Sequence, residues 1–420
     1  MISHKHSPLK FIREALAIPW QRTIYIMFFA QFMAGIGFSS IFPFLPLYIK
    51  ELGTTTNLSI EILAGMVYSA QAFTMMIASP IWGILADRYG RKLMVERAMF
   101  GGAIILFIMA FVRSAEELVL LRAIQGLITG VIAAANALIA SIAPRERCGY
   151  AMGLLQVGLG LGIALGPMIG GALADIFGYR VVFFITAALL LLAGITVLVG
   201  VKENFVPSKN LEKQVGQFLN EWRKILYMPG VIIAYALNFI GQLGQMMIVP
   251  IIPLFAETLL APSEKVNTFT GLVTGLNSAT TTLSAVYLGR LGDRIGYRRV
   301  LIISLLLSAA LYLPQSLVNE SWMFIILYSL VGLGLGGIIP SVSALLAHYT
   351  PQGEEGAVYG LDNSIRSGAR SLAPLLGSTV AIWMGLRGTF LATALVFAIA
   401  TILAILRLPK PSDVTQTHYE

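Results

Sequence analysis

A ten-residue pattern occurs twice in this chain, 206 residues apart. Gly83-Ile84-Leu85-Ala86-Asp87-Arg88-Tyr89-Gly90-Arg91-Lys92 returns as Gly289-Arg290-Leu291-Gly292-Asp293-Arg294-Ile295-Gly296-Tyr297-Arg298. The same offset, within one residue, runs through the rest of the sequence. Pro43, Pro46 and Leu47 return as Pro250, Pro253 and Leu254, and Gly149, Gly153, Pro167 and Gly170 as Gly356, Gly360, Pro374 and Gly377. Gly178, Arg180 and Phe183 return as Gly385, Arg387 and Phe390. Whatever fold the first 200 residues adopt, the second 200 must be able to adopt as well.

The copies lie in a chain of 420 residues that is 57% hydrophobic and 12% charged, with a mean hydropathy of +0.79. A soluble domain carries about 25% charged residues, so these numbers describe an all-α integral membrane protein. Twelve apolar runs each approach the roughly 20 residues that span a bilayer: 23–49, 61–86, 93–112, 117–141, 149–173, 181–201, 230–256, 268–289, 299–318, 322–346, 356–383 and 388–407. Six spans per copy make both copies enter from the same side, as two parallel six-helix repeats. The expected units are residues 1–201, a polar cytoplasmic linker 202–229, and 230–420.

Orientation follows from the basic residues. With both termini inside, only Lys50, Arg113, Arg180, Lys265 and Arg387 fall in outer loops, and Arg122, Arg366 and Arg370 lie within spans. The other twenty-one of the 29 are cytoplasmic, as the positive-inside rule requires. The net charge of +8 is thus topological. It points to contact with anionic lipid, not with nucleic acid. Cys148 stands alone, which rules out an internal disulfide. Residues 1–22 are basic but lack the apolar core of a cleaved signal, so they are expected to lie on the membrane surface.

Few polar residues sit inside the spans. Gln31 in the first span maps by the repeat onto Asn238 in the seventh, where Asn238, Gln242 and Gln245 form a stripe on one helix face. Amides cannot face lipid unsatisfied, so they either line a cavity or bond neighbouring helices. Asn136 in the fourth span is a further cavity candidate. Arg122 lies about 8 Å inside the fourth span, and Tyr328 replaces it in the other copy. It is either a functional intramembrane charge or a side chain snorkelling to the outer surface. Asp362, Arg366 and Arg370 follow one another at i, i+4 and i+8 in the eleventh span, as a structural ion pair or a protonatable site sensitive to burial and to the arginines. In the fifth span, Gly158, Gly162, Gly166 and Gly170 recur every four residues around Pro167, giving a bare ridge for close helix packing.

The Gly-x-x-x-Asp-Arg-x-Gly order of the repeated turn resembles the loop signature of the major facilitator superfamily. Arg122-Ala-Ile-Gln125-Gly126 resembles that superfamily's fourth-helix arginine motif. The glycine ridge with Pro167 resembles the antiporter motif of its twelve-helix drug:proton antiporter family. Pro43–Tyr48 and Ala135–Ala140 carry a closer likeness to one multidrug-exporter branch. The resemblance implies proton-coupled efflux of amphipathic small molecules from the inner membrane of a bacterium, by a monomer that rocks about a central cavity without any cofactor. It also implies that the loop residues Gly83, Asp87, Arg88, Gly90, Arg91 and Lys92, with Gly289, Asp293 and Arg294 in the second copy, form gates. Asp87 would join the halves near a helix N-terminus. Arg122, Asp362 and Arg366 are the expected coupling residues. The chain departs from the family in having Gln31 where many members carry an acid.

A siderophore or lipid exporter, or a metabolite symporter, would share these features. A channel would not need two paired gates. An enzyme would need a catalytic constellation, and neither a phosphate loop nor a metal-binding His-Glu-x-x-His is present. His4, His6, His348 and His418 are too dispersed to bind a metal together.

Overall fold

The computed structural model describes residues 19–144, 147–203, 205, 230–261, 264–350 and 355–409. Most of the expected linker and both termini lie outside these residues. The described chain is helical: α1 (Pro19–Ser40), α2 (Leu45–Leu52), α3 (Ile60–Tyr89), α4 (Arg91–Met109), α5 (Ala115–Ile128), α6 (Val131–Ile142), α7 (Cys148–Phe177) and α8 (Tyr179–Gly200) in the first half. The second half comprises α9 (Val231–Met247), α10 (Ile251–Leu259), α11 (Val266–Ile295), α12 (Tyr297–Gln315), α13 (Ser321–Tyr349) and α14 (Glu355–Arg407), the last broken at Gly385. Joining α1 with α2, α5 with α6 and α9 with α10, and dividing α14, leaves twelve rods among the described residues.

Three expected spans are therefore broken, and two breaks share one cause. The Pro43/Pro46 pair and its copy Pro250/Pro253 cannot donate backbone hydrogen bonds, so α1 yields to α2, and α9 to α10, at matching places. The break between α5 and α6 falls at Gly130, whose φ is +139°. Its repeat partner Gly337 lies within the unbroken α13. Each half has its own apolar core, one built from α1–α8 and the other from α9–α14. Large apolar side chains such as Val199, Leu283 and Leu406 point outward, as in a protein solvated by lipid. Eight helical segments among the described residues are long and apolar enough to cross a membrane.

The halves meet mainly through α7 with α11 and α3 with α14. At one end the approach is tight. A Cβ on Gly65 would stand 2.9 Å from Pro374 O, and one on Gly275 would stand 2.6 Å from Met168 Cγ. Lys50 pairs with Glu257 at 2.8 Å across the same end. At the other end, no heavy atom lies within 4 Å of a Cβ built on Gly83 or Gly289. The two halves are in close contact at the Lys50–Glu257 end.

Candidate transport site and gates

The repeated motif is not the short turn expected from sequence. Residues Gly83–Tyr89 continue α3, and Gly289–Ile295 continue α11. Only Gly90 and Gly296 leave the helix, with φ of +102° and +92°. A side chain at either position would be strained in that conformation. Asp87 therefore sits in the last turn of α3, and its side-chain surroundings lie outside the described residues. The nearest helix N-terminus along the chain, that of α4, is occupied by another acid. Glu203, just past α8, accepts from Arg91 N at 3.0 Å and Lys92 N at 2.8 Å. Lys92 in turn donates to Leu198 O. Sequence reasoning passed over Glu203; the signal was an acid two residues beyond the expected span 181–201.

The second copy is wired differently. Tyr297, standing where the first copy has Arg91, donates its hydroxyl to Asp293 within the same motif. That bond raises the phenol's pKa above its usual value. Asp293 and Arg294 are both exposed.

Inside the second half, Asp362 is fully buried. Arg366 Nη2 lies 2.7 Å from its Oδ2, and Asn238 Nδ2 donates to its Oδ1 at 2.5 Å. Tyr235, one turn before Asn238 on α9, donates to Val358 O on α14. The i+4 spacing thus forms its ion pair, and the amide from α9 completes it. Of the expected amide stripe, Asn238 is committed to this cluster. Gln242 is buried with its Nε2 unpartnered, and Gln245 is half-buried. Arg370, two turns beyond Asp362, is half-buried with its Nε unpartnered.

Arg122 is 1% exposed, so it does not snorkel. Its Nη1 donates to Gln125 Oε1 at 2.8 Å and its Nε to Val67 O at 3.3 Å, while its guanidinium lies 5.7 Å from the Phe42 ring. No carboxylate pairs with it among the described residues, and its Nη2 and Gln125 Nε2 are buried without partners. The neighbours of Arg122 all belong to the first half and those of Asp362 to the second. The structure brings the expected coupling residues Asp362 and Arg366 together, but not Arg122. Gln31 is buried with a free Oε1, and Asn136 carries an unpartnered Oδ1. Of Arg122, Arg366 and Arg370, only Arg366 pairs with a carboxylate among the described residues.

The glycine ridge packs within the first half. A Cβ on Gly162 would stand 2.5 Å from Phe32 O, and one on Gly158 would stand 2.7 Å from Phe28 O, both on α1. Gly166 and Gly170 meet Ser39 and Ser40 in the same way. Ser39 Oγ donates to Gly35 O at 2.6 Å and to Gly162 O at 3.2 Å. The neighbouring face of α7, with Ala164, Pro167, Met168 and Gly171, meets α11 instead.

Two half-bundles with parallel topology, meeting along α7–α11 and α3–α14, have the architecture of a two-half membrane transporter. The Major Facilitator Superfamily model matches twice, over residues 27–263 and 234–420, and the chain belongs to that family. It is 35% identical over 94% of its length to the multidrug resistance protein MdtG of Klebsiella pneumoniae, covering 95% of that protein. It is 34% identical over 95% of its length to MdtG of Dickeya zeae, covering 98% of it. Among solved structures, a bacterial homologue of the human lysosomal transporter Spinster, inward-facing and unoccupied, superposes with a TM-score of 0.73 at 15% identity over 92% of this chain and 97% of that one. The human organic anion transporter MFSD10 does so with 0.66 at 17% identity over 92% of this chain and all of that one. At these identities the structural matches speak for the fold alone.

Proposed function

We propose that this chain is a drug efflux transporter of a bacterial inner membrane, exchanging protons for amphipathic small molecules by alternating access. The observation that carries the coupling is Asp362, a carboxylate buried inside a span and held by groups from two helices. The full-length relationship to MdtG proteins supports multidrug efflux. The cytoplasmic excess of Lys and Arg makes the motif end cytoplasmic, with both termini on that side. On that assignment the tightly packed Lys50–Glu257 end faces outward, as an inward-facing form requires. Protonation of Asp362 would loosen its hold on Arg366 and Asn238, and loss of the proton would restore it. At about 100 mV one proton supplies roughly 2.3 kcal/mol, enough for a gradient of about fifty-fold in a neutral substrate.

Arg122 and Arg370, which have no carboxylate partner among the described residues, favour substrates with a neutral or anionic polar end. A cation would have to compete with Arg366 for the one carboxylate. The test is proton flux in proteoliposomes driven by a small panel of amphiphiles differing in head-group charge. The absence of substrate-dependent proton movement with every member of the panel would refute coupling.

A further inference from the structure

The N-terminus of α11 is capped by a residue of the opposite half. Its own N-cap position, Lys265, makes no side-chain capping bond. Asp175, near the end of α7, supplies the acceptors instead. Its Oδ2 takes Thr268 N and Thr268 Oγ1, both at 2.6 Å. Its Oδ1 takes Asn267 Nδ2 at 2.7 Å and Asn267 N at 3.4 Å. The second and third helical residues are the positions that an N-cap side chain normally serves, and a carboxylate there also meets the positive end of the helix. The close backbone approach at Gly171 and Gly271 brings Asp175 within reach. Asn267 is 7% exposed.

The capping is one-sided. By the repeat, the matching contact would join Ile382 to the start of α3. There Ser59, on the same half, caps its own helix by accepting from Ile62 N. The nearby Lys50–Glu257 pair is exposed, its side chains 51% and 37% accessible, so water and salt compete with it. A cavity of about 310 Å³ lined by Lys50, Asp175, Tyr179, Glu257 and Asn267 opens beside these contacts.

We propose that Asp175 is the latch of the closed end: a positioning residue that holds α11 to α7 across the two halves and sets the balance between the open-inward and open-outward forms. The bonds run between halves, so they exist only while this end is closed. They must break together when α7 and α11 part. An intramolecular cap would leave the balance untouched, because both forms would keep it.

The inference rests on the alternating-access reading and is tested without substrate. In a Cys148→Ser background, single cysteines are placed at Met168, which faces α11 at the closed end, and at Thr282, which lies beside Gly160 toward the motif end. A membrane-impermeant thiol reagent is applied to vesicles of each orientation. Asp175→Asn should speed labelling of Met168→Cys from the outside about ten-fold and slow labelling of Thr282→Cys from the inside. Thr268→Val, which removes one donor and keeps the charge, should move both rates the same way by less. This milder variant carries the test if Asp175→Asn fails to fold. Equal acceleration at both sites would mean general loosening and would overturn the latch, as would unchanged rates. If the wild-type rates never respond reciprocally to membrane potential or pH, alternating access itself fails and the latch with it.

Discussion

Asp362 is the residue on which the coupling proposal turns. Removing one partner of a buried ion pair costs about 3–5 kcal/mol when the other charge stays unpaired. Two outcomes are therefore distinguishable for Asp362→Asn. If the residue carries the proton, the variant folds, still binds substrate, and loses exchange driven by a pH gradient in proteoliposomes. If the pair is only structural, the variant loses expression, and the swap Asp362→Arg/Arg366→Asp restores it. At the motif end, Asp87→Asn is expected to slow transport strongly, while Asp293→Asn does little, because Tyr297 already ties Asp293 within its own motif. Equal transport losses in the two variants would refute that asymmetry.

Among the elements, α7 performs two tasks on adjacent faces. The glycine face zips to α1, and the Met168 face meets α11. Gly162→Leu forces a branched side chain against the α1 backbone, an overpacking cost of about 1–3 kcal/mol. Thermal unfolding in detergent should register it as a lower midpoint. Because this face joins α1 and not the other half, stability should fall before proton coupling does. The N-terminus of α4 depends on Glu203, and Glu203→Ala should cost about 1 kcal/mol by the same measurement. On the opposite side of the membrane, Glu116 gathers the hydroxyls of Thr54 and Thr56 and the amides of Thr55 and Thr56. Its carboxyl is held well below the usual range, chiefly by the Thr54 hydroxyl. The sign follows from that depression: its contribution is present above the ordinary glutamate pKa of about 4.3 and is lost as pH falls toward the lowered value. Amide exchange at Thr55 and Thr56 should stay protected at neutral pH and rise only in strong acid. Glu116→Gln should remove that acid dependence.

For the molecule as a whole, the distribution of charge decides what can bind. Inside the bundle Arg366 pairs with Asp362, while Arg122 and Arg370 have no carboxylate partner among the described residues. Unpaired cations in a low-dielectric interior attract anionic groups. Among amphiphiles matched in size and apolar surface, neutral and anionic ones should be exported faster than cations. Arg370→Gln should narrow that preference without abolishing transport. A wild-type preference for cations, measured as efflux from loaded vesicles, would refute the charge argument.

The sequence by itself determined the membrane class and the two parallel copies, and it carried the prolines and glycines at which helices break, although three spans expected to be continuous are broken. These depend on local quantities: hydropathy per residue, prolines that cannot donate, and glycines that leave the helix at Gly90 and Gly296. It also singled out Asp362 and Arg366, because an i, i+4 pair meets on one helix wherever that helix lies. The tertiary structure alone decided which helix each face would meet. In a membrane protein both lipid and neighbouring helix are apolar, so a span carries little contrast between its buried and outer sides. The glycine ridge therefore announced close packing but not that α1 would fill it. Asp175 and Glu203 read as unremarkable acids near helix ends, because the amides they cap are contributed by helices about 90 and 110 residues away in the sequence. The separation of Arg122 from Asp362 had the same origin. Each residue's charge was visible in the chain, but their distance depends on how two half-bundles, folded around separate cores, are set side by side.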